Sequence, residues 1–467
     1  MLNVEFIVSA CGGKVIQAGS TATFTHLTND TRKDLRGTVF IALGGEVFDG
    51  HDFISVAVAK GAVAVILAKL PNETLPENIF ILQVPDTLVA LQRLAQAHRR
   101  RFQIPVLALT GSNGKTTTKE FAAQIMSSAL RVHYSVGSFN NHFGVPFSLL
   151  ELRPEHQVGV FEVGMNHAGE IQNLISVIEP TVVVCTTVGR AHVEFFGSEE
   201  KIAEAKEEIY KFSPSETTRI YNLDNVHTHR MWKKHAELYP RSECLTFSTT
   251  SSTADIFFEI GSADLSGLKL KGHIRGSHFS ESLAIFGRQN ATNLAAASAL
   301  AISSGLSAAT VITGLKSCHT SWGRNQILRA PQGTLVLFDA YNANPDSMKA
   351  LIANVREFAP NQRVFGVFGQ MGEQGSQSEQ AHFELGRWLK HPPFFKVIFF
   401  GRDAKFFNEG FGPNEDARSC EVFSEFAEDP LKSLAAELEP NDIVVIKGSR
   451  SARLERSLEI FGIAVPK

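Results

Sequence analysis

Apolar residues in this chain fall into two rhythms. Short, nearly continuous apolar runs at 39–43, 62–67, 106–109, 158–163, 181–186, 334–338, 363–368, 394–400 and 442–446 read as strands. Several are β-branched and apolar throughout, as strands buried on both faces of a parallel sheet must be. Between them, apolar positions three and four apart at 53–60, 88–101, 117–130, 199–212, 289–303, 346–358 and 379–389 read as helices. Asp86 or Thr87 stands where the cap of the helix at 88–101 is expected. Residues 244–286 break the rhythm: 255–260 and 268–274 alternate, which predicts an insertion of antiparallel strands. The expected fold is α/β in three domains: a small mixed α/β domain over 1–86, a central parallel-sheet domain over 87–318 and a Rossmann-like domain over 319–467. The largely polar stretch 370–380 predicts a mobile loop.

Composition narrows this picture. A chain of 467 residues with 43% hydrophobic and 20% charged residues is long enough for about three packed domains. A formal charge of −3 predicts no pull toward nucleic acid or an anionic membrane surface. The one compact basic run, His98-Arg99-Arg100-Arg101, is expected to be a solvated helix end. Five scattered cysteines without a Cys-x-x-Cys pair argue for a reducing, cytoplasmic setting and against a structural zinc site. No apolar stretch approaches the length of a membrane span, and the first residues lack the basic start of a secretory signal. The excess of phenylalanine (35) over tyrosine (5) has no functional explanation.

The densest candidate chemistry lies at 106–118. An apolar strand runs into Gly111-Ser112-Asn113-Gly114-Lys115-Thr116-Thr117, and a helical pattern follows. This is the layout of a P-loop, in which backbone N–H groups and a helix start cradle phosphates. Lys115 then reaches the β/γ-phosphates, and the Thr116 hydroxyl faces Mg²⁺. The strict pattern has glycine where this chain has Leu109. Glu162 ends the strand at 158–163, where a metal carboxylate is needed; a glutamate satisfied by a neighbouring loop is the plainer reading. His192 follows the strand at 181–186 and could meet Glu162, although a lone loop histidine is more often ordinary surface. Lys206 sits among Glu204, Glu207 and Glu208, where composition favours a solvated helical face. Asp339-Ala-Tyr-Asn-Ala-Asn-Pro345 and Lys447-Gly-Ser-Arg450 each follow a strand of the third domain. They suit a ligand across a crevice, or a capped helix start.

Together these segments resemble the Mur ligase family, the ATP-dependent amide-forming enzymes of peptidoglycan precursor synthesis. The carrying residues are Thr110-Gly-Ser-Asn-Gly-Lys-Thr-Thr117, Glu162-Val-Gly-Met-Asn-His167, Arg190-Ala-His192, Ala205-Lys206 and Gly287-Arg-Gln-Asn-Ala-Thr-Asn293. Ser138-Phe-Asn-Asn-His-Phe-Gly-Val-Pro146, Asp339-Ala-Tyr-Asn-Ala-Asn-Pro345 and Lys447-Gly-Ser-Arg450 point to the branch that adds D-alanyl-D-alanine to UDP-MurNAc-tripeptide. The resemblance implies a nucleotide held by the P-loop with Asn290, Arg324, Asp339 and Asn342. It implies two Mg²⁺ held by Thr116, Glu162, His192 and a carbamylated Lys206. Lys115, Lys206 and His192 are implied in catalysis. It places the UDP-linked substrate on Asp30, Thr31, Arg32, Gly44, Gly45, Asn140 and Asn141, and a monomer is expected. The chain departs from the family pattern at Gln289, where histidine is usual, at Thr31, at Phe338 and in Gly369-Gln-Met-Gly-Glu-Gln-Gly375. Other ligases of the superfamily, and a P-loop switch protein without ligation, remain as alternatives. The third residue of the peptide, lysine or diaminopimelate, is left open.

Overall fold

The structure is a computed structural model; it describes residues 2–45, 49–191, 193–359, 362–413 and 418–466. Three large sheets carry the chain, each the core of one α/β domain, and a two-stranded pair of Leu2–Asn3 with Thr23–Phe24 stands beside the first. The first has five strands: Leu27–Thr28, Val39–Ile41, Ala64–Leu67 and Phe80–Gln83 run parallel, with Lys14–Gln17 antiparallel at one edge. Its strands are short because they pack only a small core, with Ile7, Phe24, Ile41, Ile66 and Leu82 at its centre.

The central sheet has nine strands. The strand Val106–Thr110 lies between Val158–Glu162 and Val182–Cys185, parallel to both. All three are buried along their whole length, which explains their continuous apolar runs. Thr218–Asn222 and Cys244–Ser248 continue the parallel half. The alternating segments are Ile256–Asp264, Gly267–Ile274 and Ser277–Leu283, paired antiparallel as expected. They are no separate insertion, because Ile256–Asp264 pairs with Cys244–Ser248 and extends the same sheet. The third sheet has six strands in the order Gln326–Arg329, Leu335–Asp339, Ile443–Lys447, Val364–Gly369, Phe394–Phe400, Ser419–Phe423, parallel except for the first.

Two sequence expectations are corrected. Residues 370–380 do not form a mobile loop. Met371 is 0% and Gln374 is 3% exposed, a 3-10 turn covers Gly375–Gln377, and a helix begins at Ser378. The polar groups are paired inside: the Met371 N–H donates to His382 Nε2 at 2.9 Å, and Gln370 Nε2 donates to Asp403 at 2.5 Å. The basic run is a solvated helix end only at Arg100 and Arg101, which are exposed. The helix Thr87–Arg99, capped by Asp86, packs between the first and central cores, and His98 and Arg99 are buried. Arg99 donates to the carbonyls of Ile178 (2.9 Å), Glu179 (3.1 Å) and Phe102 (2.8 Å). It thereby satisfies the orphan end of the helix Glu170–Ile178. Among the described residues no disulfide forms, and no helix is long and apolar enough to cross a membrane.

Replacing Arg99 by Met keeps the stem but strands those buried carbonyls. We expect a loss of about 1–3 kcal/mol, against about 0.5 kcal/mol for the exposed Arg101→Ala. Urea unfolding of both variants checks this; equal midpoints would show that Arg99 does not hold the two cores together.

Candidate functional site

The strand Val106–Thr110 turns through Gly111–Gly114 into the helix Lys115–Ser127. Two glycines make that turn possible. Gly111 has φ +153° and a Cβ there would lie 2.0 Å from Thr186 Oγ1; Gly114 has φ +79° and a Cβ would lie 2.2 Å from Asn293 Oδ1. The helix has no side-chain cap, so its first N–H groups face the turn without a protein acceptor other than backbone. Such a start attracts an anion. Lys115, half-buried, donates to its own loop at Gly111 O (2.8 Å). Burial pushes its ammonium down, with Glu162 pulling the other way.

Glu162 ends its strand beside Leu109 in register, which puts its carboxylate next to the loop. It is 1% exposed and accepts from Thr116 Oγ1 (2.7 Å) and from Asn140 Nδ2 (2.7 Å). Thr116 Oγ1 also lies 3.0 Å from Ser138 Oγ. Three neutral oxygen and nitrogen groups thus organise one buried carboxylate. This is the donor chemistry of a hard cation, which takes few protein ligands and completes its shell with water and phosphate. Among the described residues no three His, Cys, Asp or Glu side chains gather as a complete metal cage. His192 lies outside the described residues.

Lys206 is not on a solvated face. It is 1% exposed in the helix Glu199–Lys211 and has no hydrogen-bond or ion-pair partner among the described residues. Burial, and secondarily the nearby Lys115 ammonium, push its amine down to about 7. Two other buried lysines contrast with it. Lys447 donates to Asp339 Oδ2 (2.6 Å) and Asn342 O (3.1 Å), and Lys119 donates to the carbonyls of Ser135 and Gly137.

The third domain closes over the loop. Asn344 caps the helix Pro345–Phe358 through Ser347, as its sequence suggests. Its Nδ2 also donates to Asn113 Oδ1 of the P-loop (2.9 Å). Asp346 Oδ2 accepts from the Arg190 N–H (3.0 Å), and Arg324, stacked 4.2 Å over the Tyr341 ring, reaches Ser138 Oγ at 3.4 Å. The capping reading of Asp339–Pro345 therefore holds, and the same segment faces the crevice between the two domains. Between the two sheets lies a cavity of about 650 Å³. The expected residues Ser112, Asn113, Gly114, Lys115, Thr116, Thr117, Glu162, Asn290, Arg324, Asp339 and Asn342 all line it, and so do Asn140 and Asn141. Asn290 is committed locally, donating to Phe286 O at 2.7 Å. Gly111 and the buried Lys206 do not line it.

The N-terminal residues form a separate place. Asp30 holds Arg32 through two bonds of 2.8 and 3.0 Å, and this guanidinium keeps the Asp30 carboxyl down near 2. Thr31 O accepts from Lys60 Nζ (2.7 Å), Gly44 bridges to Asp49, and Gly45 follows. None of Asp30, Thr31, Arg32, Gly44 and Gly45 lines the cavity. Sequence reasoning carried Asn344 and Lys447 only inside candidate segments and did not single out Ser138 or Asp346 for the site. The capping pattern at 344–347 was a signal for two of them; Ser138 carries no signal beyond its motif.

Comparison with known proteins agrees with this geometry. Three family profiles match: "Mur ligase family, catalytic domain" over residues 23–99, "Mur ligase middle domain" over 109–301 and "Mur ligase, glutamate ligase domain" over 323–450. The chain is 34% identical over 438 residues to the UDP-N-acetylmuramoyl-tripeptide–D-alanyl-D-alanine ligase of Escherichia coli, covering 94% of this chain and 93% of that one. It is 33% identical over 463 residues to the ligase of that name from Synechocystis sp., covering 97% and 95%. Among solved structures, MurF from Acinetobacter baumannii superposes with a TM-score of 0.88 at 30% identity over 98% of each chain. MurF from Thermotoga maritima in complex with ADP gives 0.79 at 28% identity, covering 93% and 96%.

The loop geometry makes a prediction that needs no ligand. Gly114→Ala forces both a left-handed φ and the clash with Asn293, and should cost about 1–3 kcal/mol. Asn293→Gly in that background removes the clash but not the strain, and should restore part of the loss. Thermal unfolding of the single and double variants tests this; an unaffected single variant would contradict the packing.

Proposed function

This chain belongs to the Mur ligase family, and we propose that it joins D-alanyl-D-alanine to UDP-N-acetylmuramoyl-tripeptide, consuming ATP in peptidoglycan precursor synthesis. The observation that carries the reading is the Asn113–Asn344 contact at 2.9 Å. It brings a P-loop from one sheet and the Asp339–Pro345 segment from another onto one cavity, as a nucleotide bound between two domains requires.

A carboxylate does not acylate an amine in water, because oxide is a poor leaving group. In the reaction proposed, the terminal carboxylate of the tripeptide attacks the γ-phosphorus of ATP and ADP leaves. The resulting acyl phosphate is attacked by the dipeptide amine. The tetrahedral intermediate expels phosphate, the amide forms and one proton is released. The protein's share is positioning and charge neutralisation. The helix start at Lys115 and the Lys115 ammonium face the β/γ-phosphates. Arg324, Asn290, Asp339 and Asn342 hold the rest of the nucleotide. Thr116 Oγ1 and Glu162 are suited to hold one Mg²⁺; His192 and carbamylated Lys206 complete the proposal for a second. Bound there, the ions offset the negative charge gathered on the transferring phosphoryl group. A UDP-linked peptide is long, and this suits two separated anchors. Asp30, Thr31, Arg32, Gly44 and Gly45 lie at the nucleotide end of the substrate, and Asn140 and Asn141 near its reacting carboxylate. A monomer in the cytoplasm, where ATP and UDP-linked precursors are found, completes the proposal.

Carbamylation of Lys206 has a physical basis. Only a neutral amine adds CO₂, giving a carbamate and one proton. A free lysine is almost wholly protonated at neutral pH, whereas burial brings Lys206 to about 7. Below that pH the amine is charged and inert to CO₂; above it the amine is free to react.

The direct test is ATP turnover with each substrate omitted in turn. Phosphate release is expected only with both UDP-MurNAc-tripeptide and D-Ala-D-Ala present, and release without either would favour a P-loop switch. Lys115→Ala should lower kcat by about 10²–10³, the loss of one preorganised charge. Near-normal ligation by that variant would remove Lys115 from the mechanism. Lys206→Ala should be nearly inactive, with partial recovery in acetate. Wild-type activity should gain from bicarbonate as pH rises through about 7. A fully active Lys206→Ala would refute the carbamate.

A further inference from the structure

The segment 186–190 follows the strand Val182–Cys185 and lines the cavity at Thr187, Val188 and Gly189. Its backbone carbonyls are taken in alternation from two sides. On one side stands the phosphate loop: the Ser112 N–H donates to Thr187 O (2.8 Å), and Ser112 Oγ donates to Gly189 O (3.0 Å). On the other stand two asparagines: Asn222 Nδ2 donates to Thr186 O (2.8 Å), and Asn225 Nδ2 donates to Val188 O (2.9 Å). Neither asparagine lines the cavity. Asn222 ends the strand Thr218–Asn222, whose Tyr221 pairs with Cys185, so it falls opposite Thr186. Asn225 caps the helix Val226–Leu238 through the Thr228 N–H (3.3 Å), and Thr228 Oγ1 ties that helix back to Asn222 O (2.6 Å). Ser112 Oγ also accepts from the Gly189 N–H (2.9 Å), and its one proton is already spent on Gly189 O.

We propose that Asn222 and Asn225 are positioning residues: through the carbonyls of Thr186 and Val188 they set the segment 186–190, which in turn sets Ser112 and Asn113 of the phosphate loop. Thr186 completes the path, since its Oγ1 donates to Asn113 O (2.7 Å) and its N–H to Thr110 O (2.9 Å). The two amides serve carbonyls that strand pairing does not reach, because the strand ends at Cys185. Asparagine suits the task because it both accepts and donates. Asn222 Oδ1 accepts from the Asp224 N–H (2.9 Å) and Asn225 Oδ1 from the Thr228 N–H, which leaves each Nδ2 aimed at the segment. All these residues belong to the central domain, so the arrangement does not depend on where the third domain stands. The effect on affinity rests on the nucleotide reading above; the bracing of the loop stands without it.

Asn225→Asp in the full-length protein separates the two tasks of that side chain, since aspartate caps a helix as well as asparagine but has no N–H for Val188 O. Hydrogen exchange without ligand should quicken at 111–114 and 186–190 and stay unchanged across the helix Val226–Leu238. The dissociation constant for ADP, by calorimetry, and the KM for ATP should rise about tenfold with kcat within about twofold, as one stranded acceptor behind a binding loop predicts. Ser112→Ala should weaken ADP to a similar degree. The double variant should bind no worse than the weaker single one, because both cut one path. Tyr221→Phe is the control: it removes a buried hydroxyl that meets His235 Nδ1 (3.0 Å) on the same strand without touching the segment. It should lower the melting temperature and leave ADP affinity unchanged. If the new charge prevents folding, Asn225→Ser, a cap too short to reach Val188, is read in the same way. Unchanged exchange at 111–114, additive losses in the double variant, or an equal loss of affinity in Tyr221→Phe would each overturn the bracing. Failure of ADP to bind the wild type would instead overturn the nucleotide reading, and the exchange rates would still decide the bracing.

Discussion

A helix that begins without a side-chain cap, at the end of a strand buried on both sides, is the constraint from which the rest of this site follows. The turn from Thr110 to Lys115 must reverse within four residues and leave the start of the helix without a side-chain acceptor. Thr186 and Asn293 crowd the turn so closely that only glycine fits at 111 and 114. The crowding has a purpose in the packing: Thr186 Oγ1 donates to Asn113 O at 2.7 Å, and Asn293 comes from the helix that packs along the P-loop helix. The loop is held from both sides, so its donors are fixed before any anion arrives.

Charge is treated differently at each buried lysine. Lys447 is neutralised by Asp339, and Lys119 by the Glu120 carboxylate at 3.2 Å together with carbonyl dipoles. Lys206 has neither, and lies where the Lys115 ammonium raises the cost of its own charge. An uncompensated buried ammonium is expensive, and burial pushes the group toward its neutral form. The neutral amine is the form that the carbamate proposed for Lys206 requires. Packing on the helix Glu199–Lys211, rather than any feature of the lysine itself, pushes its amine down.

Joining two sheets across a ligand poses a further problem, because a permanent interface would trap the product. Beside an apolar seam where Phe286 packs into the third-domain core, the contacts between the central and third domains include amide–amide bonds at Asn113–Asn344 and Gln289–Asn354 and a backbone N–H to carboxylate bond at Arg190–Asp346. Each exchanges with water at little net change in free energy. An interface built in this way can close in a defined geometry and open again.

The amino-acid sequence by itself determined the α/β class, the P-loop and the elements whose apolar rhythm is unbroken. The helix Gln289–Ser303 and the strand Phe394–Phe400 lie where their patterns place them. Edge strands such as Lys14–Gln17, Val132–Tyr134 and Ser419–Phe423 were not legible, because half-exposed edges need no continuous apolar run. The helix Val226–Leu238 was hidden by its histidines, and Gly144–Leu150 by its internal Pro146. Within the site, residue types and spacing were enough to name Lys115, Thr116, Glu162 and Asp339. Only the tertiary structure decided that Lys206 is buried without a partner, that Arg99 is a clamp and not a solvated end, and that residues 370–380 are packed. In each case the polar group is satisfied, or left unsatisfied, by atoms far away in the chain. Local pattern records which face of an element is apolar; it holds no record of what a buried polar atom will find opposite it.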